Sequence, residues 1–197
     1  MLLVPADPLN PRQVDPHFAA ESDAARALGV PVALVDHTAR EHPEDMVAAA
    51  RAGDDAVYRG WPMTVAEYTA FAKVLDARRV TLRTSPDDYR IAQDPSRWPE
   101  ALRSVVLESA SGPIVRTWWI GGRCLLTTPH PQTPDQLPDG LDLVEIEPII
   151  TDLALPFVTV DLVRRVDGDW RIVELGDGQV SDWPGSRDPA DLVAGLF

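Results

Sequence analysis

Two patterns of apolar and polar positions divide the chain. In the first half, short apolar runs of strand length alternate with stretches whose apolar residues recur at helical spacing. The strand-like runs are Leu2-Leu3-Val4, residues 31–35, Ala56-Val57-Tyr58 and Val80-Thr81-Leu82. Asp15 is placed as an N-cap with Pro16 at the first helical position; Phe18, Ala19, Ala25 and Leu28 then form a helical stripe that Gly29 ends. A second helix is expected over 43–52, stopping at Gly53. Thr64 with Glu67 forms a capping box that opens a helix to about Ala77, and Ser85-Pro86 opens a short one to about Ala92. Strand–helix alternation of this kind predicts a parallel sheet with helices on its faces.

Beyond Asp94-Pro95-Ser96 and Trp98-Pro99 the pattern changes. Residues 114–119 and 123–126 flank Gly121-Gly122 and predict a hairpin. A polar, proline-rich loop follows from His130 to about Gly140, then a helix over 143–153. Residues 157–162 and 170–175 flank Asp167-Gly168 and predict a second hairpin, and Pro189 opens a last short helix. The fold class is therefore α/β: an N-terminal parallel-sheet domain, residues 1–95, followed by an α+β domain with an antiparallel sheet, residues 96–197.

The second hairpin carries the most informative arrangement. Centred on a two-residue turn, its register pairs Val166 with Asp169, Arg165 with Trp170, Val163 with Ile172 and Asp161 with Glu174. Like charges directly opposite one another destabilise a sheet. Two acids facing each other among apolar neighbours call for a bound cation, an arginine or one raised pKa. In the first hairpin, the Gly121-Gly122 turn places Arg116 opposite Thr127. An arginine inside an apolar strand needs an anionic partner. That partner is either a phosphate, or Asp161 or Glu174 in a structural ion pair.

Composition narrows the chemistry. The net charge of −13 argues against a general nucleic-acid surface and against anionic membranes. No apolar run approaches the length of a membrane span, and the start lacks the basic residues of a signal peptide. The single cysteine, Cys124, excludes an internal disulfide, so the expected compartment is the cytoplasm. Lys73 is the only lysine, so chemistry that needs two lysines cannot occur within one copy of this chain. The four histidines (His17, His37, His42 and His130) show no metal-ligand spacing. No phosphate-binding P-loop and no nucleophile elbow is present. After Glu174 the strand leaves through Gly176 and Gly178, and Asp177 and Gln179 add two oxygen ligands near its end. Arg59 follows the third strand of the first half, at the edge where open parallel sheets bind ligands; it reads equally as a turn residue facing solvent.

These residues resemble the ATP-grasp superfamily, in a small bacterial branch of it. The resemblance runs through 156–161 and 174–181 and includes Arg116-Thr117-Trp118-Trp119 and Val57-Tyr58-Arg59-Gly60-Trp61. It implies an α/β domain preceding an ATP-grasp-like lobe, with Mg²⁺ held by Asp161 and Glu174 between the phosphates of ATP. Arg116 would contact phosphate as the catalytic residue, with Arg59, Asp177 and Gln179 completing the nucleotide site. The implied reaction joins a small-molecule carboxylate to an amine through an acyl phosphate. The alternative is a non-catalytic relative that binds a nucleotide, a small acid or a protein partner. Two departures from the family pattern bear on this. Gly176 stands where an asparagine is usual, and only residues 96–113, without a lysine, occupy the place of the nucleotide-covering lobe. Completion of the site by a second chain, in a homodimer or with a partner, is the corresponding expectation.

Overall fold

The structure is a computed structural model that describes residues 1–39, 41–47, 50–98, 100–103 and 112–197. Half of the linking stretch 96–113, residue 99 and residues 104–111, lies outside the described residues. The chain forms two compact units, residues 1–89 with 185–197, and residues 90–184. A division at residue 95 would assign the terminal helix to the second domain; here it returns to the first.

The first unit runs β1 (Leu2–Asp7), β2 (Asn10–Val14), α1 (Ala19–Ala27), β3 (Val32–Val35), β4 (Asp55–Tyr58), α2 (Val65–Ala77), β5 (Thr81–Leu82) and the start of α3 (Pro86–Gln93). β1 lies between β3 and β4 and pairs parallel with both, and β5 extends the sheet beyond β4. Leu2, Leu3 and Val4 are fully buried, as a strand covered on both faces requires. β2, which the apolar pattern does not reveal because its residues are exposed, pairs antiparallel with the end of β1.

The caps behave as their residue types dictate. The Asp15 carboxylate accepts from the His17 N–H, and both bonds of the Thr64/Glu67 capping box are made. The helix expected over 43–52 is reduced to a single 3₁₀ turn, Pro43–Asp45. The Met46 carbonyl instead accepts the Asp36 N–H at 2.8 Å, and Met46 and Val47 are buried, so long-range packing overrides helical spacing. Residues 48 and 49 of that stretch lie outside the described residues. The last helix of the chain (Pro189–Leu196) packs on α1, with Val193 in the cluster formed by Leu2, Val4, Phe18 and Ala25.

The second unit contains α4 (Glu100–Arg103), β6 (Ile114–Ile120), β7 (Arg123–Pro129), α5 (Glu147–Leu153), β8 (Phe157–Arg164) and β9 (Trp170–Asp177). Its sheet is antiparallel in the order β7-β6-β8-β9. One face packs Val115, Trp119, Val158, Val160, Leu162, Leu175, Ile172 and Trp170 into a core with Ile146 and Ile150.

Both hairpins depart from simple register, and both departures have a readable cause. The Gly121-Gly122 turn is as predicted, with φ of 55° and 77°, the left-handed pair that such a turn requires. A bulge then leaves Leu125 unpaired, so Arg116 faces Thr128 rather than Thr127. In the β8–β9 hairpin, Arg164 pairs with Trp170 and the loop is one residue longer than predicted, closed by the Arg165 N–H to the Asp169 carbonyl at 2.8 Å. Gly168 at φ 98° ends this three-residue loop. The predicted pairs Arg165–Trp170, Val163–Ile172 and Val166–Asp169 are therefore replaced. A second bulge at Val173 cancels the shift, and Asp161 faces Glu174. Trp170, Ile172 and Leu175 cannot all face the core in strict alternation; one extra residue lets them do so.

Candidate functional site

The face of the second sheet opposite its core carries a row of polar side chains. Thr128, Arg116, Asp161 and Glu174 lie side by side on β7, β6, β8 and β9. The next row along is Leu126, Trp118, Thr159 and Gly176.

Arg116 grips Asp161 with its guanidinium fork: Nε donates to Oδ1 at 2.8 Å and Nη2 to Oδ2 at 2.7 Å. The arginine side chain is 15% exposed and the aspartate 3%. Burial works against the arginine's charge. The hydrogen bonds and charge of Asp161, with the charges of Glu174 and Asp182, outweigh it and hold its pKa above the ordinary value. Glu174, by contrast, is exposed and makes no hydrogen bond or ion pair among the described residues.

His130, which lacks any sequence signal, completes the group. It begins the loop after β7, where its own N–H donates to the Ile114 carbonyl at 3.1 Å. Its Nε2 lies 3.2 Å from Asp161 Oδ2 and 3.3 Å from Arg116 Nη2, and the side chain is 10% exposed. Nδ1 accepts the Gln132 N–H at 3.1 Å.

The other predicted residues have different surroundings. Asp177 and Gln179 are buried and bind each other: Asp177 Oδ1 accepts the Gln179 N–H at 2.8 Å, and Oδ2 its side-chain amide at 3.2 Å. They shape the loop after β9. The Ser181 hydroxyl joins them by donating to the Asp177 carbonyl at 2.9 Å, and it lies 3.1 Å from the Thr159 hydroxyl. A Cβ at Gly176 would stand 2.6 Å from Thr159 Oγ1, so the space beside Glu174 is filled by a threonine hydroxyl from the neighbouring strand. Arg59 is in the first unit, 1% exposed, with Nε and Nη2 bonded to the two carboxylate oxygens of Glu21 at 2.8 and 2.6 Å. Its guanidinium is engaged in a buried ion pair and is not presented to solvent as a turn arginine would be.

The profile of an ATP-grasp domain family, the third family of its clade, matches residues 37–196. The chain belongs to this family. No curated sequence relative matches it. Among solved structures, the macrocyclase MdnB from Microcystis aeruginosa MRC is similar at a TM-score of 0.64 and 12% identity, over 99% of this chain and 98% of that one. The ATP-grasp ligase PsnB, solved with a phosphomimetic variant of its minimal precursor, Mg and ADP, is similar at 0.63 and 12%, over 99% and 95%. The D-cycloserine synthetase DcsG follows at 0.57 and 14%, over 99% and 98%. At these identities the likeness establishes a shared fold.

The site of this ATP-grasp domain suits a hard cation in its donor types. No cluster of three or more His, Cys, Asp or Glu side chains that could hold a metal occurs among the described residues, so protein ligation would rest on Asp161 and Glu174. Two carboxylates leave most of an octahedral Mg²⁺ shell to phosphate oxygens and water. An ionised carboxylate accepts about four hydrogen bonds or their equivalent, so the three donors around Asp161 leave it an open lone pair. The Arg116 guanidinium would repel a bare cation at this place. A cation that arrives with phosphate supplies the arginine with a new anionic partner.

Proposed function

We propose that this domain is an ATP-dependent ligase that joins a carboxylate to an amine through an acyl phosphate. The observation that carries the reading is the row Arg116–Asp161–Glu174 across three adjacent strands. It brings a guanidinium fork next to two carboxylates on adjacent strands of one sheet, groups that suit a phosphate and a cation. Asp161 and Glu174 would hold Mg²⁺, which neutralises the charge of the ATP phosphates when bound. Arg116 would turn from Asp161 toward the γ-phosphate and stabilise the charge that develops on it.

In the first step a substrate carboxylate oxygen attacks the γ-phosphorus; the bond to the bridging oxygen breaks and ADP leaves. In the second step the amine attacks the acyl carbon, inorganic phosphate departs and the nitrogen loses a proton to solvent. The solved ligase PsnB, complexed with a precursor, Mg and ADP, supports this chemical class. Its structure with a precursor peptide also supports including peptides among the substrates to be tried.

A second reading, nucleotide or acid binding without turnover, is favoured by one observation. The chain has a single lysine, on α2 of the first unit, so no pair of lysines can grip the α- and β-phosphates. Calorimetric titration with Mg²⁺-ATP, on the wild type and on Asp161→Ala with Glu174→Ala, tests both readings. Binding by the wild type alone supports the site, and no heat from the wild type overturns both ligation and nucleotide binding. Phosphate release on adding carboxylates and amines separates ligation from binding.

A further inference from the structure

We infer that His130 is a positioning residue for the nucleotide site: it fixes the Asp161 carboxylate through Nε2–H and keeps it in place when Arg116 changes partner. The inference rests on the proposed nucleotide reading and deepens it. A neutral imidazole carries one proton, and the nitrogen that accepts a hydrogen bond is the one without it. Nδ1 accepts the backbone N–H of Gln132, so the proton belongs on Nε2. Nε2 lies 3.2 Å from Asp161 Oδ2 and donates to it. The 3.3 Å approach to Arg116 Nη2 is then a contact between two donors converging on the same oxygen. The imidazole cannot turn away at low cost, because its ring is held by Gln132 and its backbone by Ile114 and Thr133.

The consequence concerns a buried charge. Asp161 is 2% exposed, and an isolated carboxylate at such a place is costly. If Arg116 were its only donor, engagement of phosphate by Arg116 would strip it of every hydrogen bond. His130 supplies the bond that persists. It also sets which oxygen is left open: Oδ2 takes two donors and Oδ1 one, so Oδ1 retains the free lone pair for a cation.

Nitrogen-15 NMR of the imidazole in the ligand-free protein at neutral pH reads the tautomer. The Nε2–H form is expected, with its signal shifted in Asp161→Asn; an Nδ1–H form, or a signal indifferent to Asp161→Asn, overturns the inference. Titration with Mg²⁺-ADP then compares variants. His130→Gln keeps an N–H donor and stays within roughly threefold of wild type, whereas His130→Leu loses roughly tenfold or more in affinity. In an Asp161→Asn background the Leu substitution adds no further loss. Equal losses in Gln and Leu variants, or a full additional loss in the Asp161→Asn background, overturn the positioning role. A wild type that binds no Mg²⁺-ADP overturns the proposed function, and the tautomer measurement still decides whether His130 holds Asp161. If His130→Leu does not fold, the Gln variant and the spectrum carry the test.

Discussion

Arg116 and Asp161 stand opposite each other on β6 and β8, and the guanidinium of one closes on both carboxylate oxygens of the other. The pair is bidentate and largely removed from water. Its geometry makes each partner dependent on the other, and a ligand that takes one must compensate for both.

Removing Arg116 leaves Asp161 as a buried anion held, among the described residues, by His130. Arg116→Ala is expected to destabilise the fold by about 3 kcal/mol or more. Arg116→Lys recovers only part of this, because an ammonium cannot make the two parallel bonds. Urea denaturation of the three proteins checks it, and equal stability of the Lys variant and wild type would contradict the bidentate assignment.

Mg²⁺ by itself should bind weakly, since the guanidinium occupies the cation's surroundings. Mg²⁺ with ADP should bind better than the ion alone, because phosphate gives Arg116 its replacement partner. Ligand binding to the folded state raises the melting temperature by mass action. The expected order of melting temperatures is therefore Mg²⁺-ADP well above Mg²⁺ alone, with Mg²⁺ alone close to the apo protein.

Gly176 lacks a side chain because its space belongs to Thr159. Gly176→Ala would place a methyl 2.6 Å from Thr159 Oγ1, and a strand at that position has little room to move. A cost of about 1–3 kcal/mol is expected. Thr159→Ala in the same chain should recover part of it, a non-additivity that a double-mutant cycle measures.

Glu21 and Arg59 form a buried pair in the first unit, with side chains 8% and 1% exposed. Glu21→Ala takes away both acceptors of the Arg59 Nε and Nη2 bonds and should cost about 3 kcal/mol or more, while Glu21→Leu with Arg59→Met should cost less. Denaturation curves decide this.

Burial pushes the Cys124 thiol above its ordinary pKa, against weaker opposing effects of hydrogen bonding with the Thr127 side chain and the Leu126 and Trp118 backbone. A raised folded-state value means that the contribution to stability is complete below the unfolded thiol's pKa, about 8.5, and is lost as pH rises through the folded one. Wild type should therefore lose stability from about pH 8.5 upward relative to Cys124→Ala. A pH-independent difference between the two would exclude the shift.

Much of the site was legible in the chain, and the hairpin shows how. Asp161 faces Glu174 as predicted, though the predicted turn is one residue short. The error cancels because Trp170, Ile172 and Leu175 change parity along β9, which forces an extra residue at Val173. That change of parity was present in the sequence as a break in alternation. No comparable signal marks His130, which stands at the start of a proline-rich loop and owes its role to where β7 ends. Nor does any mark Glu21, which lies 38 residues from Arg59 and whose helical position is ordinary until β4 brings the guanidinium to it.

The sequence by itself determined the two kinds of sheet, the helix caps, the glycine turns and the facing acids, because periodicity and turn chemistry act over a few residues. Only the tertiary structure decided that Arg116 closes on Asp161, that His130 joins them, that Arg59 is engaged by Glu21 and that Thr159 fills the place beside Gly176. Each of those partnerships depends on register between distant strands and helices. A single bulge moves a strand's pairing by one residue, and local preferences do not resolve so small a displacement.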